Sequence, residues 1–165
     1  MIQNLSEEVE KITQWIRDYV KKAGAKGVVI GNSGGKDCAT VMALAAKALG
    51  SDKVLAVAMP CHSIPEDLED AKLVANAFYI PMIEIDISKM YDTMEESTNQ
   101  VLQKEGLAKA IGIEVGINAK PRIRMTQLYL LAQTLNYLVI GTGNLCEKMV
   151  GYTTKWGDNS SDFNP

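Results

Sequence analysis

The chain has 165 residues, 47% of them hydrophobic and 22% charged, the composition of one soluble globular domain with length enough for a substantial core. A net charge of −3 argues against a general nucleic-acid binder, no apolar run is long enough to span a membrane, and Glu7, Glu8, Glu10 and Asp18 exclude a secretory signal or transit peptide. Cys38, Cys61 and Cys146 are odd in number and far apart, so no disulfide framework is implied and a cytoplasmic location is expected.

Leu5, Val9, Ile12, Ile16 and Val20 recur at helical spacing, with Asn4 or Ser6 as cap and Gly24 and Gly27 as the stop. Val28–Ile30 reads as a short buried strand, followed by a helix over Ala39–Leu49 that Gly50 ends. Val54–Ala58 is a second strand, closed by Pro60. Ser63-Ile-Pro-Glu66 has capping-box spacing ahead of a helix through Leu68, Ala71, Ala75 and Phe78. Met82–Ile87 is a third strand, and Ser88 is placed to cap a helix through Met90, Met94, Val101 and Leu102. Gly106, Gly112 and Gly116 predict a loop over Leu107–Lys120, with the next helix running from Asn118 to about Asn136. Tyr137–Ile140 is the fourth strand, ended by Gly141-Thr-Gly-Asn144.

Strands apolar on both faces and separated by helices specify a parallel sheet covered on both sides, an α/β fold. No repeat, low-complexity tract or linker divides residues 1–165, so one domain is expected.

The stretch "GNSGGKDC", residues 31–38, joins the first strand to the following helix. Ligands of open parallel sheets sit beyond the carboxyl ends of the strands. Glycines there let backbone N–H groups surround an anion, helped by the helix dipole. Ser33 adds a hydroxyl, Lys36 a charge and Asp37 a carboxylate suited to Mg²⁺, so phosphate binding is the function expected of the loop. Neither a Walker A loop nor a G-x-G-x-x-G fingerprint can be drawn through it.

The loop resembles the S-G-G-x-D-S loop of N-type ATP pyrophosphatases. With "NAKPRIRM" at 118–125, "GTGNLCE" at 141–147 and "GYTTKWGDNSSDFNP" at 151–165, the chain resembles the ammonia-dependent NAD synthetases over nearly its whole length. The resemblance implies a Rossmann-like, adenine nucleotide alpha hydrolase-like fold and a homodimer. It also implies ATP-dependent amidation of nicotinic acid adenine dinucleotide (deamido-NAD) by ammonia through an adenylate, giving NAD, AMP and pyrophosphate.

By this resemblance Gly31, Asn32, Ser33, Gly34, Gly35, Lys36, Asp37, Cys38 and Thr142 contact ATP, with the backbone near Met59 as a seat for adenine. Asp37 and Glu147 share Mg²⁺, while Arg122, Lys155 and Asp162 contact deamido-NAD. Read alone, Arg122 and Arg124 are the solvated face of a helix start, Gly141–Asn144 is a turn, and Glu147 is a surface charge. In the first turn of a helix from Asn118, however, Arg122 would oppose the dipole unless an anion lay nearby.

Cys38 stands where the family usually has serine, which weakens one expected phosphate contact because a thiol is the poorer donor. The three cysteines and His62 lack the paired spacing of zinc sites, so a metal or redox centre is disfavoured. The family continues beyond the Asn164-Pro165 pair with a further ATP-contacting lysine, a serine and a dinucleotide-contacting segment. Without them these residues are expected to bind ATP but make little NAD. No glutaminase segment is read, so free or partner-delivered ammonia is expected. Two rivals remain open: another ATP pyrophosphatase, tRNA-modifying or GMP-forming, and an ATP-binding module without turnover.

Overall fold

The two inner strands of a four-stranded sheet, apolar on both faces, find a helical layer on either side. The computed structural model describes residues 4–107 and 110–165, and of Ile113 and Glu114 the backbone alone. In chain order it contains α1 (Leu5–Lys22), β1 (Gly27–Gly31), α2 (Lys36–Leu49), β2 (Val54–Ala58), α3 (Pro65–Ala77) and β3 (Met82–Glu84). There follow α4 (Ser88–Lys104), α5 (Ile113–Leu135), β4 (Tyr137–Val139) and α6 (Leu145–Val150). The sheet is parallel in the order β3-β2-β1-β4. The chain moves outward from β1 to β3 and then crosses back to the other side of β1. The order therefore reverses between β1 and β4, which places the ligand crevice of an open sheet at their carboxyl ends.

Alternation along β1 sorts the core into two halves. Val28 and Ile30 pack with Ile16 and Val20 of α1, Met42 and Ala45 of α2 and Ala75 of α3. Val29 faces the other way, with Val57, Ile87, Val139 and Met125, Leu128 and Ala132 of α5. These β1 residues are fully buried, so a one-residue slip in register would exchange the two cores.

Several boundaries differ from the sequence expectation. Gly27 opens β1 instead of ending α1, whose C-cap is Ala23, and Asn4 caps its start by accepting from Glu7 N–H. The box expected at Ser63 and Glu66 is not formed: α3 starts at Pro65 with no side-chain cap, and Ser63 Oγ accepts from Cys61 N–H at 3.3 Å. Ser88 is the first residue of α4 and not its cap, and its Oγ accepts from His62 N–H at 3.1 Å.

The largest correction is at α5. It begins at Ile113 after a Gly112 N-cap, inside the expected loop, and carries Gly116, Asn118 and Pro121 within it. Gly116 is buried against Tyr91, where a Cβ would collide with the phenol oxygen, so its absent side chain serves helix packing. Asn118 does not cap; its Oδ1 accepts from the Thr154 hydroxyl at 3.0 Å. Pro121 has no N–H for a helical bond, which is the feature that makes this stretch read as a break. Of the expected loop, Ala108 and Lys109 lie outside the described residues.

Candidate functional site

A cavity of about 500 Å³ opens at the carboxyl ends of β1, β2 and β4. Gly31, Asn32, Ser33 and Cys38 line it from the glycine loop, Met59 from the end of β2, and Gly141 and Thr142 from the end of β4. Of the expected nucleotide residues, Gly31, Asn32, Ser33, Cys38 and Thr142 line this cavity, while Gly34, Gly35, Lys36 and Asp37 are not among its lining residues.

The two glycines at the centre of the loop are there for different reasons. Gly34 has φ +77, and an added Cβ would stand 2.6 Å from Asp70 Cβ and 2.8 Å from Ala71 N. Both conformation and the close approach of α3 require glycine there. Gly35 has φ −72 and ψ 159, an extended conformation open to any residue, and its Cβ would meet nothing closer than Ser33 Oγ at 3.3 Å. What Gly35 lacks is a capping side chain: as N-cap of α2 it makes no side-chain bond to the helix, so the first-turn N–H groups stay uncapped. An uncapped helix start lined by backbone N–H groups is an anion site. Lys36, in that first turn, is exposed and has no ion pair among the described residues.

Across the crevice, α6 starts in the opposite manner. Asn144 Oδ1 accepts from Glu147 N–H at 2.9 Å, and Glu147 Oε2 accepts from Asn144 N–H at 3.0 Å, a complete capping box. Asn144 Nδ2 also donates to Asp37 Oδ2 at 3.5 Å. The two carboxylates expected to share a cation are therefore joined through one asparagine. Asn144-Leu-Cys-Glu147 has the spacing of this box, but the sequence expectation ends at the Gly141–Asn144 turn and contains neither the box nor α6.

Arg124, which the sequence reading weighed only as a solvated helix residue, lines the cavity and donates from Nε to Met59 O at 3.0 Å. Burial lowers the pKa of its guanidinium. Asp67 and Asp158, to which the resemblance gives no role, reach the same cavity. Arg124 lies on the side of α5 that also brings Pro121, Met125 and Leu128 to the cavity.

The residues expected at the second substrate lie outside this cavity, along α5 and the segment after α6. Arg122 is well inside α5 and not in its first turn, so the dipole argument made for it does not apply. Its Nε donates to Lys155 O at 3.0 Å, while Lys155 Nζ stands 5.3 Å from the centre of the Trp156 ring. Asp162 uses both carboxylate oxygens within the chain, Oδ1 accepting from Tyr129 OH at 3.1 Å and Oδ2 from Val139 N–H at 2.7 Å. Burial, and then the Asp162 charge beside it, push the Tyr129 phenol up to about 12. Cys38 and Cys61 are buried and Cys146 is exposed. His62 turns away to Asp92, with Nε2 2.7 Å from Oδ1. Among the described residues, no three His, Cys, Asp or Glu side chains are grouped to hold a metal ion.

Residues 8–165 match the NAD synthase family. The chain belongs to that family. The NH(3)-dependent NAD(+) synthetase of Carboxydothermus hydrogenoformans is 41% identical over 162 residues, which are 98% of this chain and 64% of that protein. This chain thus spans less than two thirds of that relative's length. Among solved structures, the NH3-dependent NAD synthetase of Campylobacter jejuni, in complex with nitrate ion, superposes with a TM-score of 0.88 at 32% identity. The match covers 99% of this chain and 67% of that one. An NMN synthetase from Francisella tularensis superposes with a TM-score of 0.86 at 33% identity, over 97% of this chain and 63% of that one. These likenesses within the NAD synthase family bear out the Rossmann-like α/β fold expected from the order of elements.

Proposed function

We propose that this chain carries the ATP-binding and adenylating part of an ammonia-dependent NAD synthetase, a ligase that amidates deamido-NAD. The observation that carries the reading is the pairing of an uncapped α2 with the Asp37–Asn144–Glu147 link across the crevice between β1 and β4. The N–H groups of α2, Lys36 and the Ser33 hydroxyl receive the polyphosphate, and Thr142 contacts it from β4. Arg124 fixes the Met59 carbonyl, so the backbone there forms a stable seat for adenine.

Two carboxylates, both hard oxygen donors, fit Mg²⁺, which takes one or two protein carboxylates and completes its shell with phosphate oxygens and water. Asp37 and Glu147 would hold it; when bound, it supplies charge neutralisation at the phosphates. The carboxylate oxygen of deamido-NAD attacks the α-phosphorus and pyrophosphate leaves. Ammonia then attacks the acyl carbon, AMP leaves, and a proton passes from nitrogen to solvent. The chain's own contribution is to align the carboxylate with the α-phosphorus and to screen the mixed anhydride from water.

The same reading gives Arg122 and Lys155 to the dinucleotide, on the rim formed by α5 and the segment after α6. Asp162 serves there by holding Tyr129. A homodimer is part of the proposal, supported by apolar side chains left exposed on α5, with Val115 65%, Ile117 60% and Leu130 57% exposed. Sedimentation showing only an 18.0 kDa species would remove it. A cytoplasmic, single-domain enzyme accords with this reading, and no described helix is long and apolar enough to cross a membrane.

The deciding assay supplies ATP, Mg²⁺, ammonium and deamido-NAD and measures NAD, AMP and pyrophosphate separately. Because an NMN synthetase is among the similar structures, nicotinic acid mononucleotide is run as a competing substrate. Preference for the mononucleotide would change the substrate and leave the chemistry. Pyrophosphate release without an amide product would favour another ATP pyrophosphatase.

A further inference from the structure

The glycine loop is fastened to the rest of the fold by one of its own side chains. Asn32 is 5% exposed, and its amide is engaged on both ends. Nδ2 donates to Ala71 O in α3 at 2.7 Å and lies 3.6 Å from Met82 Sδ in β3. Oδ1 accepts from Gly34 N–H at 3.0 Å, and the Asn32 N–H donates to Val57 O in β2 at 2.9 Å. A buried carboxamide with these partners has no donor left for a ligand. Its two main partners meet each other as well, since Gly34 is packed directly on the Asp70 and Ala71 backbone. The bond to Gly34 withdraws that N–H from any anion, and the Gly35 N–H donates to Ser33 Oγ at 3.3 Å, which leaves the first turn of α2 to receive one.

We propose that Asn32 is a positioning residue: it clamps the phosphate loop onto α3 so that the α2 N–H groups face the crevice before a polyphosphate arrives, and it touches no ligand itself. The inference rests on the ATP reading above and replaces the direct contact expected from the sequence. A cradle ordered in advance pays less entropy when it binds. Loss of the clamp therefore falls on polyphosphate binding, and the sheet behind it stays intact.

The test measures Mg-ATP and Mg-pyrophosphate affinity by calorimetry and amide hydrogen exchange in the ligand-free protein. Asn32→Leu, which removes both side-chain bonds, should weaken both ligands on the order of tenfold. Exchange should quicken across residues 33–38 while Val28–Ile30 and Val54–Ala58 stay protected. Asn32→Ser retains a hydroxyl able to accept from the N–H two residues on, and should recover part of the loss. Gly34→Ala disturbs the same contact from the other side, so the Asn32→Leu/Gly34→Ala pair should lose no more affinity than the worse single variant. Additive losses would mean that Asn32 contacts the nucleotide directly, and would overturn the proposal. So would unchanged affinity, no recovery in Asn32→Ser, or lost protection in the strands. A parent protein that binds no Mg-ATP would sink the ATP reading, and this inference with it; a parent that binds while Asn32→Leu binds equally well sinks this inference alone.

Discussion

Both α2 and α6 begin at the carboxyl end of a strand, on opposite sides of the same crevice, and their first turns are built in opposite ways. The N-cap of α2 is a glycine with no capping side chain; α6 is closed by reciprocal bonds between Asn144 and Glu147. A glycine N-cap with no side-chain bond costs a few tenths of a kcal/mol against a good cap, and that cost is tolerated where something else completes the turn. A filled start has spent its donors. Under the proposed function, the contrast gives the anion to α2 and leaves α6 to present a carboxylate, with Asn144 tying the second carboxylate, Asp37, to the first. Two helix starts that look alike in a strand-loop-helix scheme thus carry complementary charge.

The largest expected effect strikes the side that gathers negative charge. Asp37→Asn should lower kcat/KM by about three orders of magnitude, because a metal ion's neutralisation of phosphate charge is worth several kcal/mol. Calorimetry with and without Mg²⁺ checks the cause. If Mg-ATP affinity is the same in variant and parent, Asp37 is no metal ligand.

The next variant makes α2 resemble α6. The backbone at Gly35 admits any residue, and a Cβ there would stand 3.3 Å from Ser33 Oγ, an exposed hydroxyl that need give only slightly. Gly35→Asp should therefore fold and gain a few tenths of a kcal/mol from its new cap. The same carboxylate fills the anion site, so Mg-ATP affinity should fall roughly 100-fold. Thermal melts and calorimetry on one preparation give both signs; a variant that is less stable yet binds normally would break the comparison at its centre.

The converse change opens α6. Asn144→Ala removes the cap and the donor to Asp37, at a cost of about 1 kcal/mol in stability. It should weaken Mg²⁺ about tenfold by releasing both carboxylates, as loss of outer-sphere partners does. Titration of Mn²⁺ as a paramagnetic probe reads the metal directly, and an unchanged Mn²⁺ affinity would reduce Asn144 to a helix cap.

How much of this was legible beforehand depended on how local the signal was. The strand Val54–Ala58 and the loop 31–38 stood out because runs of apolar residues and a glycine-rich turn carry their meaning within a few positions. The start of α5 did not. Gly112, Gly116 and Pro121 each argue locally against a helix, and only packing against Tyr91 and the segment around Thr154 overrides them. That error carried Arg124 out of the site and gave Arg122 a dipole argument it does not need. The α6 box was within reach, since Asn144 and Glu147 have the right spacing, but the turn residues before it drew the reading toward a loop. For Asn32 no local rule would have served. Its amide is defined by Ala71 and Met82, far along the chain, and the sequence shows only a polar residue in a glycine loop.

The smallest effect concerns the one thiol in the α2 first turn. Cys38 is 7% exposed, with Sγ 3.3 Å from Ser33 Oγ. Cys38→Ser exchanges a weak donor for a stronger one at a place that faces the anion, so Mg-ATP affinity should rise about threefold. Stability should move the other way, by about 1 kcal/mol, because a hydroxyl is smaller and more costly to bury than a thiol. The two signs separate this substitution from Gly35→Asp, which gains stability and loses affinity at the same helix start. Iodoacetamide labelling gives an independent view of the same thiol. If Mg-ATP covers the α2 start, it should slow labelling of Cys38 and leave the exposed Cys146 unaffected. Equal protection of both cysteines would mean that nucleotide also covers the α6 turn that carries Cys146, and lower affinity in Cys38→Ser would mean that the thiol itself is the better partner for the loop.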